Sequence, residues 1–297
     1  MTAESNRTAD GRVDCADGSS CNLWWNAVPP IFGERVGCIG SVLATSLTTD
    51  LVERALEELR RAGCTIALGP MDGNTWRSYR FVTGGGKQPP FFLEPANPAF
   101  YPQLFQAAGF APLSRYSSSL VNLQTNPRLD RIEERLAWRG VTIRDLDPGA
   151  FKLELDRLFE LSLESFADNV LFTPIDRRSF GELYERIEPF VQPEFVRFAE
   201  VEGKPVSFVF AVPDCLEQQR TAKATTLVVK TLATHPHWRH LGIGSVLVEK
   251  VQEAALARGF TRAIHALQHE ANTSLKITRR SQGERFREYT LFSRSLR

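Results

Sequence analysis

The feature that most constrains the fold of this chain is an internal sequence repeat. The stretch "ERALEELRRAGCTIALGPMDGNTW" aligns with "EKVQEAALARGFTRAIHALQHEANTS", so that Gly63 lies on Gly259, an offset of 259 − 63 = 196 residues. After two extra residues in the second copy, Asn74 meets Asn272. Each copy has an amphipathic helix, a glycine, an apolar strand and an asparagine in the same order, which favours duplication over chance. The repeat predicts two related domains in tandem.

Length and charge agree with two folded domains that act on a small molecule. The 297 residues are 42% hydrophobic, enough for two cores of ordinary size. Lys plus Arg (36) nearly cancels Asp plus Glu (35), which removes the electrostatic reason to expect a nucleic-acid or acidic-membrane partner. We therefore expect neither of these partners and a small substrate instead.

The cysteines and the N-terminal stretch indicate a cytoplasmic protein. The five cysteines lack metal-binding spacing, and an odd number without a signal peptide favours a reducing compartment. No apolar run reaches the roughly eighteen residues that a membrane helix needs. The N-terminal stretch has no basic segment followed by an apolar one. We expect no bound metal, and a polar, mobile tail over residues 1–22.

The first block, predicted as a domain over residues 23–125, contains the earlier copy of the repeat. "ERVGCIGSVLATS" predicts a strand that leads into a helix, and "TTDLVERALEELRRAG" places apolar residues on one helical stripe that ends at Gly63. A short strand follows, then a helix that ends at Gly109. "SRYSSSLVNLQ" alternates as a closing strand.

The polar segment 124–141 separates the two blocks, and we place the boundary near residue 126, so that the second predicted domain spans residues 126–297. It begins with two helical stretches and a hairpin around a Glu-Gly-Lys-Pro turn. A strand, a loop, a helix, a strand, a short helix and a final strand complete it. The predicted helices span 149–167, 177–188 and 242–258, and the predicted strands around the loop span 225–234 and 262–269.

The two copies differ between the strand and the helix. The second copy has "THPHWRHLGIGS" where the first has "SLTTD". Unpaired N–H groups at a helix N-terminus, with the positive end of the helix dipole, form a ready anion site. Gly242 and Gly244 allow close approach of a phosphate, and Arg239 can add a charge. The glycines could instead serve tight packing or a plain turn, and neither a Rossmann fingerprint nor a P-loop fits.

These residues resemble the central motif of the GNAT superfamily of acyl-CoA-dependent N-acyltransferases. Its pyrophosphate loop, Q/R-x-x-G-x-G/A, corresponds here to Arg239-His240-Leu241-Gly242-Ile243-Gly244. The resemblance covers residues 139–297 in element order. It implies an α/β fold with a mixed central sheet flanked by helices, present as two tandem domains of which the N-terminal one is degenerate.

The resemblance implies acetyl-CoA or another acyl-CoA as co-substrate. In the family the strand before the loop splays from the next strand, and the pantetheine arm fills the gap. A backbone N–H near Ala233 would polarise the thioester carbonyl. The implied cofactor-binding residues are Leu232, Ala233, Thr234, Arg239, His240, Leu241, Gly242, Ile243, Gly244, Ser245 and Asn272.

The catalytic acid and base are less defined by the resemblance. Many members place a glutamate on the strand before the loop, where this chain has Lys230. Glu270 is the replacement candidate for the base, with His265 and His269 on the opposite face of the same strand by alternation. The tyrosine common in the last helix is also absent. Thr278 and Tyr289 are the candidate acids.

The acceptor would enter beside the loop between the first two helices of the family fold, here "FADNVLFTPIDRR". Phe166, Asn169 and Phe172 are the candidate substrate-binding residues, although their rings could equally belong to the core.

The leading hypothesis is transfer of an acetyl or other short acyl group to the amine of a small molecule. Two alternatives remain. One is an acyltransferase that takes its acyl group from the phosphopantetheine of an acyl carrier protein. The other is a module that binds acyl-CoA without turnover.

Overall fold

The computed structural model describes residues 9–86, 88–125 and 129–297. These residues form one twelve-stranded sheet with helices packed on it. The strands are β1 (Gly11–Asp14), β2 (Ser20–Trp24), β3 (Val36–Leu43), β4 (Ile66–Gly69), β5 (Phe81–Gly84), β6 (Ala111–Asn122), β7 (Val141–Asp145), β8 (Val196–Val201), β9 (Lys204–Pro213), β10 (Thr226–Thr234), β11 (Arg262–His269) and β12 (Glu284–Ser295). The helices are α1 (Asp50–Arg61), α2 (Tyr101–Ala107), α3 (Asp130–Ala137), α4 (Phe151–Phe166), α5 (Arg177–Glu185), α6 (Cys215–Thr221), α7 (Ile243–Ala257) and α8 (Leu275–Arg280).

The sheet is mixed, as the α/β prediction requires. Its strand order is β1-β2-β3-β4-β12-β6-β11-β10-β9-β8-β7, and β5 also pairs with β12. The pairs β3–β4 and β10–β11 are parallel. Each parallel pair is joined by a crossover helix, α1 in the first half and α7 in the second, because parallel neighbours cannot be joined by a tight turn.

The last strand of each half lies in the sheet of the other half. β12 pairs with β4, where Ser295 lies opposite Ile66, and β6 pairs with β11, where Asn122 lies opposite Arg262. Ile66 and Arg262 are 262 − 66 = 196 residues apart, the same offset as in the sequence repeat. The two closing strands also pair with each other at the centre of the sheet. The prediction of two related tandem domains is therefore confirmed, and the copies exchange their closing strands.

The prediction of a polar tail over residues 1–22 is wrong from residue 11 onward. β1 and β2 form an antiparallel hairpin at the sheet edge, and β2 continues the sheet by pairing with β3. Cys21 and Leu23 are buried in the first-half core. A short hairpin with one solvated face has a polar composition, so composition alone did not distinguish it from a tail. Residues 1–8 lie outside the described residues.

The predicted boundary between residues 125 and 126 falls at a gap, because residues 126–128 lie outside the described part of the chain. The boundary therefore stays a prediction. Helix α3 lies in the polar segment that was expected only to separate the two blocks. Leu136 is its one buried residue, so its apolar stripe is too narrow to be recognised in the sequence.

Helices cover the sheet in three groups. α1 and α2 pack on the first half, around Leu56 and Phe105. On the second half, α3 and α7 cover one face, and α4 and α5 cover the other. Phe91, Phe92 and Leu93 from the first half pack into the core on the α4/α5 face. The first half therefore helps to build that face of the second half.

A buried ion pair holds this first-half segment against β12. Arg287 Nε donates to Glu94 Oε1 at 2.8 Å, and the two side chains are 6% and 2% exposed. The Tyr289 hydroxyl donates to the same oxygen at 2.7 Å. Arg287 also donates to the carbonyl of Gln88 at 2.7 Å. Burial makes this group costly to break, because either partner left alone is an uncompensated charge.

We expect Arg287→Met to lower the free energy of unfolding by about 3 to 5 kcal/mol, because Glu94 is left buried and unpaired. Urea denaturation of the full chain measures the change. Arg285→Met on the same strand is the control, since Arg285 pairs with Glu288 at the surface and such pairs contribute about 1 kcal/mol or less. Equal losses in the two variants would contradict the assignment.

Candidate functional site

An open notch separates β10 from β11. The two strands pair over four positions, from Thr226 opposite Arg262 to Val229 opposite His265, and do not pair beyond them. A bulge in β10 between Val229 and Thr231 accompanies the divergence. The remainder of β10 keeps its partner β9 on one edge only. A bulge bends and twists its strand, so the β11-facing edge of β10 is left without a strand partner.

The alternation of β10 determines which main-chain groups face the notch. The His235 N–H donates to the Val206 carbonyl, and the Ala233 carbonyl accepts from the Ser207 hydroxyl at 2.7 Å. These groups lie on the β9 side, so the main-chain groups of Leu232 and Thr234 face the notch. The N–H that was predicted near Ala233 therefore belongs to a neighbouring residue, Leu232 or Thr234. The main chain of Ala233 itself faces β9.

The glycine loop connects this strand to the N-terminus of α7. Gly242 caps the helix with a φ of +90°. A Cβ at this position would stand 2.9 Å from Ile132 Cγ2 of α3. A Cβ on Gly244 would stand 3.1 Å from Leu232 Cδ2. Both glycines thus serve close packing and, at Gly242, the left-handed backbone.

The first amides of α7 remain available to a ligand. Val246 N–H makes the first i→i−4 bond, to the Gly242 carbonyl, and Ser245 N–H donates to the same oxygen. Within the described residues, the N–H groups of Ile243 and Gly244 have no hydrogen-bond acceptor. Free amides at the positive end of a fifteen-residue helix suit an anion.

The arrangement of a splayed parallel pair, a glycine loop and a crossover helix corresponds to a known family. Residues 155–276 match the model of the "Acetyltransferase (GNAT) family". This segment is a GNAT domain. The predicted family is thereby confirmed for the part of the chain that carries the notch and the loop.

Part of the chain is similar in sequence to a bacterial enzyme of known name. A bacterial ceramide synthase of Caulobacter vibrioides (strain NA1000 / CB15N) is 24% identical over 194 residues, which cover 63% of this chain and 50% of the relative. The chain thus spans about half the length of this relative.

Two solved structures show the same fold over nearly the whole chain. A GCN5-related N-acetyltransferase from Sphaerobacter thermophilus has a TM-score of 0.54 and 14% identity, and the match covers 96% of this chain and 79% of that one. A tandem GNAT protein from the clavulanic acid biosynthesis pathway has a TM-score of 0.51 and 13% identity, with 95% and 81% covered. The tandem GNAT architecture therefore extends over both halves.

Arg239 of the GNAT loop is engaged by α4. Its Nη2 donates to the Ser165 carbonyl at 2.7 Å, and its Nη1 lies 3.5 Å from the Asp168 carboxylate. Its Nε donates to the Thr234 carbonyl. The guanidinium thus ties the end of β10 to the end of α4, and its contact with a cofactor stays a prediction.

Arg280 of α8 is a cation that the sequence analysis missed. It lines a small surface depression beside the start of α7, together with Ser245, Val248 and Ile277. The side chain is exposed and lies at the basic end of its helix. The motif contains no signal for it, because its position depends on how α8 packs beside α7.

The other predicted loop and asparagine residues have local structural roles. His240 adopts a left-handed φ of +70° in the loop. The Asn272 side chain accepts from the Ser274 N–H at 2.9 Å, which supports the turn into α8. Cofactor contacts of His240, Leu241 and Asn272 stay predictions.

Thr278, a candidate acid, lies in a buried network outside the notch. Its hydroxyl contacts His265 Nδ1 at 2.8 Å and donates to Gln268 Oε1 at 2.9 Å. The other His265 nitrogen contacts Gln252 of α7. Burial lowers the pKa of His265 to about 4, so the ring is neutral. Thr278 thus joins α8 to β11 and, through His265, to α7, and its role as acid stays a prediction.

Tyr289 and Glu270, the other two candidates for acid and base, lie on different strands and in different surroundings. Tyr289 is fully buried on β12, bonded to Glu94 and Ser118. Burial, followed by the charge of Glu94, raises its pKa far above the usual range, so it is a poor acid. Glu270 is exposed after the end of β11, and its N–H donates to the Arg115 carbonyl. Its role as base stays a prediction.

The prediction that His265 and His269 share a face is wrong. β11 has an irregularity between His265 and Gln268, where Leu267 has a φ of +58°. This inverts the alternation, so His265 and Gln268 both contact Thr278. His269 instead packs against the Tyr116 ring at 5.0 Å and bonds to Ser114. A pattern of alternation cannot anticipate a bulge.

The predicted acceptor residues surround a tryptophan from the first half. The Trp76 ring lies 6.1 Å from the rings of both Phe166 and Phe172 in edge-on contact. Trp76 Nε1 donates to the Thr173 carbonyl at 2.7 Å. Asn169 is exposed at the end of α4. The rings of Phe166 and Phe172 therefore pack on Trp76, as expected if they belong to the hydrophobic core. Only the outer parts of these rings remain for contact with an acceptor.

Lys230 occupies the β10 bulge on the α4/α5 face. Its Nζ donates to the Leu93 carbonyl at 3.0 Å. Burial, and then the charge of Arg80, lower the pKa of Lys230 to about 7, against an opposing effect of Glu94.

No group of His, Cys, Asp and Glu suited to a metal ion occurs within the described ranges. No helix in those ranges is long and apolar enough to cross a bilayer.

We expect Gly242→Ala to destabilise the domain by about 1 to 2 kcal/mol through the left-handed φ alone, with a further loss from contact with Ile132. A double-mutant cycle with Ile132→Ala separates the two effects in urea denaturation. Ile132→Ala should restore the steric part only. A Gly242→Ala variant as stable as the wild type would show that the loop adopts another conformation.

Proposed function

We propose that the chain is an acyl-CoA-dependent N-acyltransferase that transfers an acetyl or other short acyl group to the amine of a small molecule. The observation that carries the proposal is the open edge of β10 beside the free N-terminal amides of α7. An extended pantetheine arm can pair with Leu232 and Thr234, while the pyrophosphate meets Ile243 and Gly244.

The charges around the loop support CoA as the donor. The free amides suit a pyrophosphate, and Arg280, in the depression that Ser245 of the first turn of α7 also lines, adds a positive charge to this region. A donor carried on an acyl carrier protein has the pantetheine arm without the adenosine pyrophosphate, so it would leave these groups unused. The GNAT loop therefore favours acyl-CoA over the carrier protein.

The reaction needs no covalent enzyme intermediate. The acceptor amine attacks the thioester carbon, a C–N bond forms, the C–S bond breaks, and the thiolate leaves with a proton. A main-chain N–H of Leu232 or Thr234 faces the notch and can stabilise the developing oxyanion. Holding both reactants in the notch supplies much of the rate by proximity.

The amine would approach from the α4/α5 face, opposite the helix that binds the pyrophosphate. This face is lined by aromatic and aliphatic side chains from both halves, including Trp76 and Phe92. The relative named bacterial ceramide synthase supports acyl transfer in a chain of related sequence. Longer acyl groups therefore belong in the donor screen beside acetyl-CoA.

The first experiment is calorimetry of CoA and acetyl-CoA with the full chain and with Gly244→Glu and Arg280→Ala. We expect Gly244→Glu to abolish binding, because its Cβ would press on Leu232 and its carboxylate would repel the pyrophosphate. Arg280→Ala should weaken binding by roughly tenfold, the effect of one charged hydrogen bond. A free-thiol assay with a panel of primary amines then tests transfer.

Gly181→Glu is the matched control, because Gly181 lies in helix α5 with no heavy atom within 4 Å of an added Cβ. It should bind CoA as the wild type does. If the wild type fails to bind CoA, the CoA proposal is refuted and a carrier-protein donor takes its place. Binding without transfer to any amine would favour a non-catalytic acyl-CoA module.

A further inference from the structure

Lys230 stands at the apex of the notch. Val229 is the last residue of β10 that pairs with β11, and Lys230 is the next residue along the strand. A thioester that enters between the diverging strands would bring its carbonyl toward this apex.

The bulge determines which way Lys230 points. Val229 and Leu232 pack in the core on the α7 face. Between them, Lys230 contacts Leu93 of the core on the α4/α5 face, and Thr231 bonds to Tyr184 of α5. Without the bulge, one of these two neighbours would point to the α7 face. Lys230 is therefore directed to the side from which the amine would approach.

The surroundings of Lys230 favour the neutral amine. Burial removes water from the ammonium, and Arg80 brings a second positive charge. The Nε and Nη1 atoms of Arg80 are buried without a hydrogen-bond partner among the described residues. Glu94 is the nearby carboxylate, and it is already bonded to Arg287 and Tyr289.

We propose that the Lys230 amine is the general base that deprotonates the acceptor. This inference rests on the proposed function and adds the missing base to it. One N–H of the neutral amine donates to the Leu93 carbonyl, which leaves the nitrogen lone pair free. Lys230 acts as a catalytic residue, since the proton passes directly from the acceptor nitrogen to Nζ.

The protons balance over one cycle. The acceptor arrives as an ammonium ion and gives one proton to Lys230, after which its free lone pair attacks the thioester carbon. The second proton leaves the nitrogen as the C–S bond breaks and ends on the departing thiolate. Lys230 then releases its proton to water. The net products are the amide, CoA thiol and one proton.

The pH dependence follows from the direction of the pKa shift. Lys230 can accept a proton only when neutral, so the rate should rise with pH and level off above about pH 7. At lower pH the ammonium form predominates and the rate falls tenfold per unit. An unshifted lysine would place this rise near pH 10.

The first test does not require the acceptor. The full chain is labelled with trace acetic anhydride between pH 5.5 and 10.5, and each lysine is quantified by mass spectrometry. We expect the labelling of Lys230 to reach half its maximum near pH 7. The exposed Lys152 on α4 is the internal reference. A Lys230 that stays unlabelled at every pH, or that reacts only above about pH 9, would overturn the proposal.

The second test compares Lys230→Met, Lys230→Arg and the control Lys152→Met with the amine that the wild type accepts. We expect both Lys230 variants to lose about 10²- to 10⁴-fold in kcat/KM at pH 7, the usual contribution of a general base. The rise in kcat/KM near pH 7 should disappear. The rate should instead rise near the pKa of the acceptor amine itself. CoA affinity should stay unchanged in all variants.

Lys230→Arg distinguishes a general base from a residue that contributes only its positive charge. Arginine keeps the positive charge but cannot give up its proton to act as a base. Near-normal activity of Lys230→Arg, or an unchanged pH limb in either variant, would refute the proposal. A wild type that binds acyl-CoA but acylates no amine would refute the proposed function, and the base with it. Melting temperatures confirm that each variant is folded.

Discussion

The absence of strand pairing beyond Val229 is the feature on which the candidate site depends. A parallel pair normally continues until one strand ends, because each unpaired N–H or C=O loses a hydrogen bond. Here the β10 bulge ends the pairing early, and β9 holds the strand on its other edge. The unpaired edge is a ready template for an extended ligand. The loop and α7 then place two unpaired amides, those of Ile243 and Gly244, at the end of that edge.

The exchange of closing strands makes the first half part of this site. β6 lies directly beside β11, so one wall of the notch is supported by a strand from the other copy. The segment that carries Phe91 to Glu94 then covers the α4/α5 face and supplies the carbonyl that holds Lys230. The first half, which has no glycine loop, thus shapes the α4/α5 face of the second half. The ion pair of Glu94 and Arg287 fixes that segment in place.

Charges at the site are distributed differently from what the motif suggests. Arg239, the charged residue of the motif, is used to join β10 to α4. Arg280 lines a depression beside the first two turns of α7, and Arg80 from the first half brings a positive charge close to Lys230. A long side chain such as that of arginine carries its charge several ångströms from its own backbone. The motif therefore predicts the position of the Arg239 backbone but not that of its guanidinium.

The sequence by itself determined the repeat, the order of most helices and strands in both copies, and the loop at Gly242 and Gly244. Periodicity and glycine positions are local signals, and local backbone preferences decide them. Tertiary structure alone decided the strand exchange, the faces of β11 and the surroundings of Lys230. The strand exchange depends on which copy has an unpaired sheet edge beside each closing strand. The bulge at Leu267 depends on the pairing of β11 with β6. The lowered pKa of Lys230 requires burial beside Arg80, a residue 150 positions earlier in the chain. No local pattern encodes such a contact.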